Sequence, residues 1–229
     1  MKKSCHLCAE LLGGELHLYH RAGENVVLPC NSSSFSSSCS DVTWFYNRNK
    51  SPNTQQKVWN RSPQAYRLNM DRSCSLIIND IDPGDSGLYT CRSGSGSSSD
   101  GFVYLNVLSV SSSPPDADPT KNGDITLLCS LVRFSGFSSC PDKSLLWLNE
   151  TGSELTGEGD GYKSGGQFGC VSNLTVNLQS SRRFTCQFVE RNKVKVEAHY
   201  QHEGMMSSHL SLQPYFILRK LNCWNVTYV

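Results

Sequence analysis

The stretch Asp85-Ser86-Gly87-Leu88-Tyr89-Thr90-Cys91 decides the fold, because its cysteine closes a series of four cysteines and one tryptophan that occurs twice in the chain. The intervals within the series are 9, 5, 30 and 17 residues in the first copy and 11, 7, 23 and 16 in the second. Four intervals rarely stay in step by coincidence, so the 229 residues are predicted to contain two homologous units in tandem. The two copies are Cys30, Cys39, Trp44, Cys74 and Cys91, and Cys129, Cys140, Trp147, Cys170 and Cys186.

The outer cysteines and the tryptophan of each unit resemble the core of the immunoglobulin superfamily, in which a disulfide joins two sheets and a tryptophan packs on it. Tyr89, two residues before Cys91, stands where that family has its tyrosine corner. The resemblance covers residues 15–200 and implies an all-β fold of two tandem immunoglobulin-like β-sandwich domains. It further implies core positions for Trp44 and Trp147 and the outer disulfides Cys30–Cys91 and Cys129–Cys186.

The inner cysteines are placed by the geometry of such a sandwich. The loop between strands B and C and the start of strand E lie at one pole, so a cysteine in each can reach the Cα distance of about 5.5 Å that a disulfide needs. This predicts Cys39–Cys74 and Cys140–Cys170. The rival pairing, Cys30–Cys39 with Cys74–Cys91, would leave the tryptophan without a bridge between the sheets. An inner disulfide either fixes the B–C loop for binding or only staples a serine-rich loop, and both interpretations stay open.

The same spacings predict the type and the limits of each domain. Thirty residues between Trp44 and Cys74 leave room for strands C′ and C″, as in a variable-type domain, whereas the shorter second interval favours a C2-like domain without C″. Three prolines among small and acidic residues indicate a linker. The predicted parts are a leader-like or disordered segment at 1–14, a variable-type domain at 15–110, a linker at 111–122, a C2-like domain at 123–201 and an unassigned tail at 202–229.

Alternation of apolar and polar residues predicts the strands. In the first unit, Arg67 is expected to pair with Asp85 across the bottom of the sandwich. The predicted strands of that unit are B at 24–30, C at 42–47, C′ at 57–59, E at 75–78, F at 85–91 and G at 102–107. Those of the second unit are B at 125–129, C at 144–148, E at 171–176, F at 183–188 and G at 194–200.

Eleven cysteines and six glycosylation triplets favour an oxidising compartment, on the extracellular side of the plasma membrane or in secretion. The N-terminus lacks an apolar signal-peptide core and no run of about 20 apolar residues occurs, so we expect a partial chain without its ends. Cys5, Cys8 and Cys223 have no predicted partner, and Cys5-x-x-Cys8 could also be a redox or zinc pair. The predicted glycosylation sites are Asn31, Asn49, Asn60, Asn149, Asn173 and Asn225.

No motif for catalysis is present. The chain lacks a phosphate-binding glycine loop, a G-x-S-x-G elbow and an H-E-x-x-H zinc motif, so no enzyme, cofactor or metal is predicted. A formal net charge of +1 gives no reason to expect nucleic acid.

A set of aromatic residues gives the candidate partner-binding surface. If the strand C tryptophan and the strand G valines face the core, four aromatic side chains point outward from one sheet of the first unit, and such patches mark interaction surfaces. The alternatives are that one or two of them fold into the core, or that the strand G parity is shifted by one residue. A glycan at Asn60 would also crowd this surface. The four residues are Phe45, Trp59, Phe102 and Tyr104.

As a whole, residues 15–200 resemble the extracellular part of a two-domain leukocyte receptor of the immunoglobulin superfamily. The resemblance implies recognition of a protein ligand or cell-surface counter-receptor in immune signalling, without catalysis, through the variable-type domain. A membrane would be involved only through a segment absent from this chain. Homodimerisation is possible, and the alternatives are a homophilic or heterophilic adhesion molecule and a secreted decoy receptor. The step from fold to function is analogy.

Overall fold

The computed structural model describes residues 8–12, 15–30, 39–49, 56–58, 67–94, 97, 100–113, 124–135, 139–177 and 183–201. In these residues the chain forms two β-sandwiches that follow one another in sequence. The strands of the first part are β1 (Cys8–Leu12), β2 (Glu15–Arg21), β3 (Val26–Leu28), β4 (Val42–Asn47), β5 (Gln56–Lys57), β6 (Leu68–Met70), β7 (Leu76–Ile78), β8 (Gly87–Ser93) and β9 (Gly101–Ser113). Those of the second are β10 (Asp124–Val132), β11 (Leu145–Leu148), β12 (Glu158–Gly159), β13 (Tyr162–Phe168), β14 (Val171–Asn177), β15 (Arg183–Glu190) and β16 (Lys193–Gln201).

The first domain packs a sheet in the order β9-β8-β4-β5 against the three-stranded sheet β3-β7-β6. These strands correspond to the predicted G, F, C and C′ on one side and B, E and an additional D on the other. The strand β2 lies beside β9 in parallel register, with Leu16 opposite Val103 and Arg21 opposite Leu108. The region predicted for strand C″ lies outside the described residues.

The second domain has the seven-strand layout of constant-type domains, four strands on one sheet and three on the other. One sheet runs β13-β14-β10-β9 with the short β12 at its edge, and the other runs β11-β15-β16. All neighbours in both sheets are antiparallel.

The strand β9 belongs to both domains, which corrects the predicted linker. Its first residues pair with β8, and the segment from Val107 to Ser113 pairs with β10. Residues 111–113 are therefore strand, not linker. The strand β9 continues beyond its pairing with β8, and its backbone groups there pair with those of β10. Residues 114–122 of the predicted linker and the tail at 202–229 lie outside the described residues.

The N-terminal segment is a second correction. Residues 8–12, predicted to be leader-like or disordered, form β1, which pairs in antiparallel fashion with β2 from Cys8 opposite Tyr19 to Leu12 opposite Glu15. The two strands lie close together in the sequence, so the pairing is local, and it provides hydrogen-bond partners for the backbone of β1. Cys5 and Cys223 lie outside the described residues.

Four disulfides join the sheets, in the pairs expected from the resemblance and from the sandwich geometry. The outer bridges cross between sheets beside Trp44 and Trp147, which are 1% and 2% exposed. Trp44 is opposite Cys91 and Trp147 is opposite Cys186 on the neighbouring strand, so each tryptophan lies beside its bridge in a core. The pairs are Cys30–Cys91, Cys39–Cys74, Cys129–Cys186 and Cys140–Cys170, with Cα–Cα distances of 5.4, 5.4, 6.3 and 5.0 Å.

The motif that begins strand F, at the start of β8, makes the contacts expected of it. The Tyr89 hydroxyl donates to the Asp85 carbonyl oxygen at 2.8 Å, and burial raises the pKa of that phenol well above its ordinary value. Arg67 Nη2 lies 2.6 Å from Asp85 Oδ2, as predicted. Gly87 has to be a glycine, because a Cβ there would lie 2.6 Å from the Tyr46 ring and 2.8 Å from a main-chain oxygen.

Candidate functional site

Two of the predicted aromatic residues lie in one row across the outer face of the first-domain sheet. Phe45 on β4 is opposite Thr90 on β8, and Thr90 is opposite Phe102 on β9. Adjacent strands are about 4.8 Å apart, so the two aromatic Cα atoms are separated by about 10 Å. Phe102 is 44% exposed and Phe45 is half-buried. The strand G parity is as predicted, since Val103, Leu105 and Val107 are fully buried on the opposite side.

An arginine lies beside this row, two residues further along β8 from Thr90. The guanidinium carbon of Arg92 lies 4.9 Å from the centre of the Phe45 ring, within the range of a cation–π contact. Its Nε and Nη2 donate to the two carboxylate oxygens of Asp100, at 2.8 and 2.6 Å. The hydrogen bonds with Asp100 raise the pKa of Arg92, while burial alone would lower it. The two-point contact fixes the guanidinium plane before any partner arrives.

We name this group, Phe45, Arg92, Asp100 and Phe102, the front cluster. The Asp100 side chain is 5% exposed and that of Arg92 is 26% exposed, so the carboxylate is more deeply buried than the guanidinium. Two phenyl rings and a fixed arginine are side chains enriched at the centres of protein interfaces. The arrangement can bind an apolar or aromatic group of a partner, and the guanidinium edge can donate hydrogen bonds to a carbonyl or carboxylate.

Tyr104 does not belong to an open surface, which corrects the prediction for this residue. It points away from the first core, as the alternation of side chains along β9 requires, but it is only 8% exposed. His17 stacks on its ring with centroids 4.8 Å apart, and Phe134 of the second domain lies 5.6 Å away. Burial, together with the nearby Glu15 carboxylate, raises the pKa of Tyr104 to about 12. The tyrosine is thus part of the junction between the domains, a long-range contact that strand parity cannot show.

The remaining predicted aromatic residue, Trp59, lies outside the described residues, as does Asn60 beside it. Arg92 and Asp100 were missed by the sequence analysis. A signal for Arg92 was available, because Cys91 faces the core and its neighbour must therefore face outward beside Phe45. Asp100 had no such signal, since it precedes the strand and its position depends on the hairpin.

One comparison with known proteins agrees with this geometry. The family model for the immunoglobulin domain matches residues 16–93, which include the first-domain disulfides, Trp44 and the strand F motif. The chain is a member of the immunoglobulin superfamily. No curated protein matches it closely enough to count as a relative.

Membership of the immunoglobulin superfamily supports a general role in protein binding or recognition, and domains of this family are generally not enzymes. The immunoglobulin domain with its disulfides indicates an extracellular or secreted location. Within the described ranges, no helix is long and apolar enough to cross a membrane.

Three of the six predicted glycosylation sites of this immunoglobulin-superfamily chain are in the described residues. Asn49 follows β4 and is exposed, and its Oδ1 accepts a hydrogen bond from Ser135 Oγ at 3.3 Å. Asn149 closes a turn, since its Oδ1 accepts from the main-chain nitrogens of Thr151 and Ser153 at 3.0 and 2.8 Å. Asn173 is exposed in the middle of β14. Asn31, Asn60 and Asn225 lie outside the described residues.

Proposed function

We propose that the chain is the ligand-binding part of an immune-type cell-surface receptor, which recognises a protein partner without catalysis through the outer face of its first, variable-type domain. The observation that carries this proposal is the front cluster, in which the Phe45 ring lies beside an arginine held by the buried Asp100 side chain, and the exposed Phe102 lies in the same row as Phe45. A group ordered before binding loses less conformational entropy in the complex, so more of its contact energy becomes affinity.

The chemistry of the front cluster supports a protein as the partner. Phe102 and the ring of Phe45 offer apolar area, and the Arg92 guanidinium keeps donors on its exposed edge. The pair of Arg92 with Asp100 is formally neutral, so the cluster does not favour a strongly charged ligand such as nucleic acid. A truncation in the centre of such a surface typically costs 2 kcal/mol or more in binding, about 30-fold in affinity.

Fluorescent tetramers of the full chain, applied to a panel of immune cell types, test the proposal. We expect staining of at least one type, and a loss of about 30-fold in apparent affinity for Phe102→Ala and for Arg92→Ala. Phe168→Ala is the matched control, because it removes the same ring from an exposed position of the second domain, where Phe168 is 91% exposed. Equal binding by the Phe102 and Phe168 variants would contradict the proposal.

Homophilic adhesion is the second candidate, favoured by the apolar row of Phe45 and Phe102, which a second copy could cover by twofold symmetry. Sedimentation of the glycosylated chain at micromolar concentration separates the two functions. A dimer that Phe102→Ala dissociates would favour adhesion, whereas a monomer that stains cells would favour the receptor.

A further inference from the structure

The outer face of the sheet β13-β14-β10-β9 in the second domain, here called the back face, differs from an ordinary solvated sheet. Two apolar side chains are exposed on it, Phe168 at 91% and Leu128 at 41%. Along its middle, the described residues that share this face are small or neutral, and the charged Asp124 and Lys163 lie toward one end. The neutral part consists of Ser109, Ser111, Thr126, Leu128, Ser130, Gly166, Phe168, Val171, Asn173 and Thr175.

A face of this composition is a liability for a protein outside the cell. Charged side chains normally keep flat sheet surfaces apart, and exposed apolar groups on such a surface favour association with other chains. A group attached to this same chain that covered Leu128 and Phe168 would remove this tendency to associate with other chains.

Asn173 lies between these two apolar side chains. It is directly opposite Leu128 on β10 and opposite Gly166 on β13. Phe168 is opposite Val171, two residues before Asn173, so it is a diagonal neighbour at about 7–8 Å. A sugar ring on the asparagine amide would therefore reach both apolar side chains.

The local backbone leaves room for the Asn173 amide. At the bulge in β13, a Cβ on Gly165 would lie 1.8 Å from Asn173 Oδ1, so the amide occupies the space that any other residue would fill. Gly166 has a φ of +82°, in the left-handed region that favours glycine. Among the described residues, Asn173 makes no side-chain hydrogen bond, whereas the amide oxygen of Asn49 accepts one and that of Asn149 accepts several.

We propose that Asn173, which begins the triplet Asn173-Leu174-Thr175, carries an N-linked oligosaccharide whose first sugars pack on Phe168 and Leu128 and cover the back face.

The transfer requires a lipid diphosphate-linked oligosaccharide as donor. The amide nitrogen forms a bond to the anomeric carbon and loses one proton, while the bond from that carbon to the diphosphate oxygen breaks and the lipid diphosphate leaves with the electron pair. The apolar face of the sugar then meets the Phe168 ring. The proposal is independent of the function proposed above, because it requires only passage through the secretory pathway.

The test uses the full chain, expressed behind a secretory leader in a host that attaches N-linked glycans. Mass spectrometry of the peptide that contains Asn173 reports occupancy, and sedimentation at micromolar concentration reports self-association. Asn173→Gln and Thr175→Val both remove the triplet, the second without changing the asparagine. Asn49→Gln is the matched control, since it makes the same substitution at an exposed asparagine that begins another triplet and lies away from the back face.

We expect the peptide to be glycosylated in the unsubstituted chain. Both back-face variants should lack that oligosaccharide and self-associate about tenfold more tightly than the Asn49→Gln control. Adding Leu128→Ser and Phe168→Ser to Asn173→Gln should restore the monomer. An unmodified Asn173 in the secreted chain, or back-face variants that stay as monomeric as the control, would overturn the proposal.

Discussion

At the scale of single residues, the strand F motif shows why each of its positions is needed. The Asp85 side chain accepts hydrogen bonds from Arg67 and from the Asp82 main-chain nitrogen, so it ties the edge of one sheet to the turn before β8. Gly87 leaves space for the Tyr46 ring, and Tyr89 returns to the Asp85 carbonyl. The sequence motif predicted the Arg67–Asp85 pair and the tyrosine corner, whereas the Asp82 contact and the packing of Gly87 on Tyr46 were not predicted.

The two tyrosines at this turn provide a prediction about stability. Both hydroxyls donate to main-chain oxygens, Tyr89 to that of Asp85 at 2.8 Å and Tyr46 to that of Ser86 at 2.9 Å. Tyr89 is 3% exposed, so water cannot easily replace its hydroxyl once it is removed. Tyr89→Phe therefore leaves the Asp85 carbonyl oxygen without this donor, and it should lower the free energy of unfolding by about 1–2 kcal/mol.

Tyr46→Phe is the matched control for that measurement. The Tyr46 side chain is half-buried and one of its hydrogen bonds is exposed, so water can replace the lost contact and the cost should stay below about 1 kcal/mol. Urea unfolding of both variants compares the two losses. A larger loss for the Tyr46 variant would show that burial does not set the strength of these bonds.

At the scale of elements, alternation predicted the strands whose two faces differ in polarity, but it did not predict the end of β9 as strand. The strands β4, β10 and β14 follow the apolar-in, polar-out pattern closely. The end of β9 alternates as well, with Val110 turned to the second core, but its other residues are serines, which have little strand propensity. Its strand conformation comes from pairing with β10, and a single sequence does not show that partner.

The two tryptophans also differ in a way that the repeat could not reveal. Trp44 Nε1 donates to the Cys74 carbonyl oxygen at 3.0 Å, whereas Trp147 Nε1 is buried without a partner among the described residues. In the second domain the corresponding carbonyl, that of Cys170, accepts from the Leu131 main-chain nitrogen at 2.9 Å instead. The two cysteines also differ in backbone conformation, since Cys74 has a φ of +63° and Cys170 is not among the described residues with positive φ.

The inner disulfide of the first domain is therefore expected to hold a left-handed residue in place. Removing it in Cys39→Ala/Cys74→Ala should lower the free energy of unfolding by about 3 kcal/mol, less than for an open loop of this length because the outer bridge already restricts the unfolded chain. Cys39→Ala/Cys74→Gly should lose about 1 kcal/mol less, since glycine adopts positive φ without strain. Urea unfolding measures both variants, and equal losses would show that the backbone of residue 74 relaxes once the bridge is gone.

At the scale of the whole molecule, β2 and β9 each contribute to two cores. On β9, Val107 is buried in the first core and Leu108 in the second. On β2, Leu18 is buried in the first core, while Tyr19 packs in the second, where its ring lies 5.7 Å from Phe188 and its hydroxyl donates to Glu190 at 3.4 Å. Two neighbouring residues of one strand thus stabilise different domains, which a boundary drawn along the sequence cannot express.

This arrangement predicts that adjacent substitutions on β2 affect different domains. Leu18→Ala and Tyr19→Ala each remove a nearly fully buried side chain and should each cost about 3 kcal/mol. Hydrogen exchange read by mass spectrometry locates that cost, because amide protection falls where the stabilising contact was lost. Leu18→Ala should speed exchange in β3, β4 and β7, whereas Tyr19→Ala should speed it in β15 and β16, 164 residues or more away in sequence from the substituted tyrosine. If Tyr19→Ala instead lowers protection only in the first domain, the second sandwich folds without its neighbour and the shared strands serve only to connect the two domains.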